Sequence, residues 1–354
     1  MPPRILGAGA ALLLASGLCS AQVLTVRPLN DTGFAKCGNE TSNDIGCSYL
    51  DTDPLGFPRQ DGQFGRSPKE AAAGGTEVLA RTALAKVGTS TSPGFDFSKV
   101  LVNGTLQNGA LSAQAGVLGT TATSWACTKD NVTGLIWLLK SPTGNDHRLN
   151  TSTYNWKSAD GNVNGGVSGA QGVASGTQCY NSTYCDTESY ITYINALNTT
   201  VGWCGEGTKS DWRLPTRLEL LSIVDSYSPM LVVTSGTGAD NASTVTVADA
   251  HLLDARMMVD GIGIASGARI ASISGNVVTL TAANTAAVSG DLTFKREAAV
   301  DIVFFPNMRS GYYWARETFA ENPSEARFVN FGFGTDGTSP KGDKMHVILV
   351  RPSP

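Results

Sequence analysis

The pattern of apolar and polar positions changes three times along the chain. Residues 22 to about 120 carry little helical period. Within them, "GTEVLARTALAKVG" predicts one short helix around Val78–Val87. "GFDFSKVLVNGTLQNG" predicts a hairpin, because "VLV" and "TLQ" flank Asn103-Gly104, a dipeptide preferred in tight type I′ turns. From Trp125 the texture becomes aromatic. "TGLIWLLK" (133–140) predicts a buried strand with Leu135, Trp137 and Leu139 on one face. A Gly/Asn/Ser loop follows from about 158 to 178. "CDTESYITYINALN" (185–198) predicts a helix capped by Asp186, with Glu188 at its positive end. Tyr190, Ile191, Ile194 and Leu197 form its apolar stripe.

The most definite local signal is "DWRLPTRLELLSIVD" (211–225). Pro215 cannot continue a preceding strand and fixes the direction of the chain. Thr216 with Glu219 three residues on is the pattern of a capping box, in which each side chain satisfies a backbone donor at the other's position. Leu218, Leu221 and Val224 recur at helical spacing, flanked by Leu220 and Ile223. A short helix over 217–226, pressed on a core, is expected. Arg213 sits between Trp212 and Leu214. It is either a ligand-binding arginine or, the preferred reading, a cation packed on an aromatic or paired with a carboxylate. The stretch reads as scaffold, with the working surface elsewhere.

Residues 231–297 contain no Trp, Tyr or Cys and are rich in Val, Ala, Gly and Thr. "STVTVADA", "ARIASIS" and "NVVTLTAA" alternate or run β-branched between Gly-Asn and Ser-Gly turns, which predicts a small all-β module. "VDIVFFPNM" and "GYYWARETF" then resume the aromatic texture, and "EARFVNFGFGTDG" and "HVILVRP" look like closing strands. The module is therefore expected to be inserted into a host formed by 121–230 and 298–354. Residues 22–120 would be a loop-rich segment packing on that host.

"MPPRILGAGAALLLASGLCSAQ" has an early Arg4 and an apolar run from Ile5 to Leu18, the pattern of a secretory signal peptide over 1–21. A lipid anchor on Cys19 is the weaker reading, since Leu18 stands where a small residue is wanted. No second long apolar run predicts a transmembrane segment. Export changes the meaning of the cysteines. Cys37, Cys47, Cys127, Cys179, Cys185 and Cys204 form an even set, which favours three disulfides. Cys37–Cys47 is the first choice, with Cys127–Cys179 and Cys185–Cys204. The rival is Cys179–Cys185 with Cys127–Cys204. The net charge of −4 and the lack of a basic run exclude a nucleic-acid patch.

"DNVTGLIWLLK", "CDTESYITYINALN", "GWCGEGTKSDWRLPTRLELLSIVD", "FFPNMRSGYYWARETF" and "VILVRP", in that order, resemble the Lcl C-terminal-like domain family of exported bacterial proteins. "VRPLNDTGFAKCGNE" and the residues after it resemble the segment often preceding that domain. The resemblance covers roughly 24–230 and 298–354. It implies an α+β fold: a C-type-lectin-like domain with two short helices and a small twisted antiparallel sheet, related to formylglycine-generating enzymes, plus the inserted all-β module. It also implies an adhesin-like role, the family's named member being a surface adhesin for sulfated glycosaminoglycans. The insert itself resembles Gly/Thr/Val-rich repeats of phage tail fibres. Two departures stand out. The insert replaces a short loop, and an acidic chain is poorly suited to a sulfated glycan.

In a fold of that kind the ligand face is built from late loops, here 312–328 and 332–344. Tyr313, Trp314, Arg316, Glu317, Asn322, Asp336 and Lys341 would offer an aromatic platform with polar directors, suited to a carbohydrate or a protein epitope. Successive strand residues face opposite ways, so one of Tyr313 and Trp314 must point inward, and Trp314 is the expected core residue.

Catalytic signals are weak. No cysteine follows Cys204, which removes the formylglycine-generating activity. His147 and His251 read as surface residues and His346 as structural, with no nucleophile motif beside any of them. No phosphate loop is present, and no cofactor is expected. Calcium is the one metal considered, through Asp336, Asp343 and "DTDP" (51–54), although the ordered spacing of a calcium loop is absent. The expectation is an exported, non-catalytic binding protein. A structural envelope component that forms homo-oligomers through the module, or an exported hydrolase, are the alternatives.

Overall fold

The computed structural model describes residues 29–32, 37, 86–89, 94–107, 124–142, 147–172, 179, 183–205, 209–226 and 230–353. The signal-peptide stretch, most of the Val78–Val87 helix, Cys47 and "DTDP" lie outside the described residues. No helix among the described residues is long and apolar enough to cross a membrane.

The centre is a five-stranded antiparallel sheet. Its strands are β1 (Phe97–Leu101), β2 (Leu106–Gln107), β3 (Trp125–Asp130), β4 (Leu135–Leu138) and β16 (Leu349–Pro352), in the order β16-β4-β3-β1-β2. β4 is buried on both faces and divides its residues by the period of two. Leu135 and Trp137 enter one apolar core, whereas Ile136 and Leu138 enter a second. The β1–β2 hairpin forms, but not through a type I′ turn. That turn needs positive φ at both central residues, and only Gly104 has it, at 86°.

β5 (Tyr154–Asn155) precedes helix α1 (Thr187–Val201). The Asp186 carboxylate accepts the Ser189 N–H at the start of α1, and Gly202 closes it with a left-handed φ of 68°. Helix α2 (Arg217–Leu221) carries the full capping box of Thr216 and Glu219. It is shorter than the expected 217–226. After Leu221 the backbone donors turn elsewhere: Val224 to the Leu221 carbonyl, and Asp225 to Ala299 across the fold.

Residues 231–295 supply a six-stranded sheet of their own. Its strands are β6 (Leu231–Gly238), β7 (Thr244–Val247), β8 (Met258–Asp260), β9 (Ile270–Ser274), β10 (Val277–Leu280) and β11 (Val288–Lys295), ordered β8-β11-β6-β7-β10-β9. The sheet curls into a barrel-like ring. A Met258–Arg269 bridge joins its two edge strands, with Val259 N–H donating to Ala268 and Ile270 N–H to Met257, both at 2.9 Å. Val245, Val247, Val259, Val278, Leu280, Leu292 and Phe294 fill the interior. The buried Arg296 guanidinium ties the ring to the rest of the chain, meeting Asp225 at 2.9 Å and Asp254 at 3.1 Å.

β12 (Tyr312–Thr318), β13 (Glu325–Asn330) and β14 (Thr335–Pro340) form a three-stranded antiparallel sheet, and β15 (Lys344–Met345) pairs with β5. Among the described residues the structure is thus mostly β, with 35% strand against 10% helix, distributed over several antiparallel sheets. This corrects the expectation of an α+β, C-type-lectin-like domain. The helical signals were local and, among the described residues, produced one long helix and short turns at Arg217–Leu221 and Trp203–Gly205.

The disulfides follow the rival pairing. Cys127 bonds Cys204 and Cys179 bonds Cys185. The expected Cys185–Cys204 bond is ruled out by α1, whose 15 residues lie between them. At about 1.5 Å per residue that helix is roughly 22 Å long, far beyond the Cα separation of about 7 Å that a disulfide allows. Cys37 is disulfide-bonded, and its expected partner Cys47 lies outside the described residues. These bonds, with the lack of a membrane-spanning helix among the described residues, are consistent with an exported protein.

Candidate functional site

The late-strand residues do not assemble into one ligand face. Tyr313 and Trp314 are both fully buried, as is Ala315, because β12 is covered on both sides. Burial pushes the Tyr313 phenol well above its usual range, and its oxygen accepts the Arg309 N–H. The Trp314 indole donates to the Tyr154 carbonyl at 2.8 Å. Trp137 and Trp212 are buried too, as are the remaining three tryptophans. No tryptophan is left to stack on a sugar. Among the described aromatics, Tyr312 and Phe333 are the large exposed ones.

Lys341 is likewise removed from a direct binding role. It is 3% exposed, its Nζ lies 4.2 Å from the Trp156 ring, and it donates to the Asn164 and Val167 carbonyls. Burial lowers its pKa. Glu317 accepts the Arg217 N–H at 2.9 Å, and Asp336 pairs with the Arg217 guanidinium at 3.0 Å. Both carboxylates therefore anchor α2 to the three-stranded sheet. Asn322 organises its own turn, donating to Glu325 and accepting from Ser324. Asp343 accepts from the Ser339 hydroxyl. Among the described residues no group of acidic, His or Cys side chains is arranged to hold a metal.

Arg316 is the exception. It lines an open cleft of about 200 Å³ with Arg213, Leu214, Trp156, Lys157 and Asp160. Glu188, Ile191 and Thr192 of α1 complete one wall, and Ser158 and Val163 another. Each part is held by a specific contact. The Trp156 indole donates to the Ala315 carbonyl at 2.9 Å, and Lys341 fastens the 158–169 loop from beneath. Asp160 accepts the Asn162 N–H at 2.9 Å, so the loop is shaped by its own Asx contacts. Arg316 N–H donates to the Pro215 carbonyl at 2.8 Å, which places β12 beside the Trp212–Leu214 segment. Arg213 is clamped by Glu219 at 2.7 Å, the carboxylate pairing preferred for that arginine.

The cleft carries Lys157, Arg213 and Arg316 against Asp160 and Glu188. Lys157 meets Glu188 at 2.9 Å, whereas Arg316 meets Asp160 only at 3.5 Å. The hydrogen bond from Lys157 to Glu188 raises the lysine's pKa. Burial works against the Glu188 charge, but Lys157 and the Ala159 N–H outweigh it and leave that pKa lowered. The Asn162 N–H lowers Asp160. Both carboxylates are therefore held ionised. The lining joins apolar Trp156, Val163, Ile191 and Leu214 to the charged side chains, which suits recognition of a small polar ligand.

The sequence reading missed Lys157, Asp160, Glu188 and Thr192 as cleft residues. Its "158 to 178" loop showed only composition, although Asp160-x-Asn162-x-Asn164 is the pattern of a self-bonded loop. The histidines stand apart from the cleft. His346 Nδ1 lies 3.1 Å from the Ser152 carbonyl, and burial lowers its pKa to about 4. His147 is partly buried against Trp203, at 5.1 Å between ring centres, and so is not the surface residue expected. His251 is exposed beside Asp249. Set against known proteins, the chain matches no family model, no curated protein and no solved structure.

Proposed function

We propose that this is an exported, non-catalytic binding protein that recognises a carbohydrate through the Arg316 cleft. The observation that carries this reading is the looseness of Arg316. Its neighbours Lys157 and Arg213 are spent on Glu188 and Glu219 at 2.9 and 2.7 Å, but Arg316 is held only at 3.5 Å and its side chain stays partly exposed. It can redirect its donors toward hydroxyl oxygens, and Asp160 can accept from them through the oxygen that Asn162 does not bond. With every tryptophan buried, the sugar would be held by hydrogen bonds and by the partly exposed Ile191.

The ionised carboxylates also favour binding over hydrolysis. A glycosidase needs one carboxyl kept protonated as the acid, and both cleft carboxylates are shifted the other way. The resemblance to the Lcl C-terminal-like family agrees with an adhesin-like role, in the periplasm, at the outer surface or in the medium. The test is binding of the purified protein and its Arg316→Ala variant to a glycan array, with calcium and with chelator. Discrete hits lost in the variant support the proposal. Hits retained in full by Arg316→Ala would place the site elsewhere, and a blank array would shift the assignment to a protein partner.

A second reading rests on the ring formed by 231–295. Leu231, Val233 and Ile262 are exposed there, and such residues suit assembly through the module into homo-oligomers. Sedimentation velocity on the purified protein and on Val233→Lys separates the two readings.

A further inference from the structure

A second cleft, of about 340 Å³, opens where the barrel-like ring meets the 297–308 segment. Its polar lining is Arg256, Arg269 and Thr281 from the ring, with Glu297 and Asn307 from the segment beyond. Ile270, Ile302 and Met308 give it apolar walls. None of these residues touches the Arg316 cleft.

The backbone here is unusual in a way that serves the cleft. Arg256 and Asn307 have φ values of 76° and 69°, two of the four positive values found at non-glycine residues among those described. Asparagine tolerates this region, whereas arginine adopts it only when its surroundings enforce it. Enforcement is visible. Arg256 N–H donates to the Ile270 carbonyl at 2.7 Å, and the Arg269 guanidinium donates to the Arg256 carbonyl at 3.1 Å. The second Arg269 nitrogen meets Glu297 at 3.1 Å. Asn307 is fixed by donating to the Lys140 carbonyl at 3.0 Å and accepting from Asn150 at 3.1 Å.

The fold thus places Arg256 and Arg269 in the lining of one partly apolar cleft, linked through the Arg256 carbonyl. Burial, then repulsion from Arg269, pulls the Arg256 pKa down to about 10, against the opposing pull of Glu297 and Asp301. Lys99, close enough to feel Arg256, is lowered in turn by burial and by that charge. A ligand carboxylate would join Glu297 as a negative partner in the same cleft. A planar carboxylate matches the guanidinium fork. A dianion would be opposed by Glu297 and Asp301.

We propose that this cleft is a binding site for a small ligand carrying a single carboxylate on an apolar body, with Arg256 and Arg269 as the carboxylate partners and Ile270, Ile302 and Met308 around the body. The inference does not depend on the carbohydrate reading, which concerns other residues.

The test is calorimetric titration of the full chain with benzoate, with the neutral isostere benzamide and with inorganic phosphate, at constant ionic strength. The expected result is saturable benzoate binding at least tenfold tighter than either control. Arg256→Asn, which suits a positive φ, should weaken benzoate at least tenfold, while Arg316→Ala leaves it unchanged. Equal affinity for benzoate and benzamide, tighter phosphate binding, or no benzoate binding would overturn the proposal. Should Arg256→Asn fail to fold, amide shifts of the unmodified chain decide. Changes on benzoate addition centred on Arg269, Thr281 and Asn307 support the site, and changes centred elsewhere refute it.

Discussion

Arg213 and Glu219 meet as a fork, with two guanidinium nitrogens donating to the two carboxylate oxygens at 2.7 Å each. The same carboxylate accepts the Thr216 N–H at 2.7 Å, so one side chain both caps α2 and fixes the arginine that walls the cleft. Burial opposes the Glu219 charge, and Arg213 and Thr216 outweigh it, leaving the pKa below the ordinary 4.5. A lowered carboxylate pKa stabilises the fold above that ordinary value, and the stability is lost as pH falls through the folded pKa. Thr216→Ala should cost about 0.5–2 kcal/mol, and Glu219→Gln more, by urea denaturation at pH 7. The deficit of Glu219→Gln should shrink below pH 4.5. A deficit constant down to pH 3 would mean the charge is not what matters.

The two described disulfides should differ in strength. Cys127–Cys204 spans 77 residues and Cys179–Cys185 spans 6. Loop-closure entropy then predicts about 4.5 kcal/mol for the first and about 2.2 kcal/mol for the second. Cys204→Ser should therefore lower the denaturation midpoint distinctly more than Cys185→Ser. Peptide mapping under non-reducing conditions should recover Cys127 linked to Cys204. A Cys185–Cys204 peptide would be incompatible with the fold.

His346 should make the protein acid-sensitive. Its pKa is lowered from 6.5 to about 4, first by burial and then by Lys140 and Arg309, against the Ser152 carbonyl. Between those values the unfolded chain binds a proton that the folded one refuses. Stability from this group is complete above pH 6.5 and falls as pH drops toward 4. The slope is at most about 1.4 kcal/mol per pH unit. An NMR titration of the imidazole should show no charging at pH 5.5, and His346→Gln should flatten the stability profile. An imidazole titrating near its ordinary value would refute this.

Leu292 and Gly236 should be coupled. A Cβ added at Gly236 would lie 2.7 Å from the Leu292 side chain inside the ring. Leu292→Ala should cost about 2–5 kcal/mol. Gly236→Ala should destabilise the native protein but cost much less in the Leu292→Ala background. Additive effects in a double-mutant cycle would show that the two do not share the space.

Some of this was legible along the chain. The capping box at Thr216 and Glu219, the Asp186 cap and the β-branched alternation of 231–295 are signals of short range, and short-range hydrogen bonds and periodicity express them wherever they occur. The buried strand at 135–138 was equally plain, since four apolar residues in a row have no solvent face to offer. Tyr313 shows where such reading stops. Alternation predicted one inward residue of a pair, yet neighbours on both sides of β12 bury it and Trp314 alike.

The sequence by itself determined where α1 and α2 begin, the buried strand at 135–138 and the β character of the segment from 231. Tertiary structure alone decided the pairing of the cysteines, because α1 holds Cys185 and Cys204 a helix length apart. It decided that Lys341 supports a loop from below. It also brought Arg316 to Asp160 across 156 positions of sequence. Contacts of that range depend on how sheets stack and which faces are covered. No periodicity within a segment carries that information.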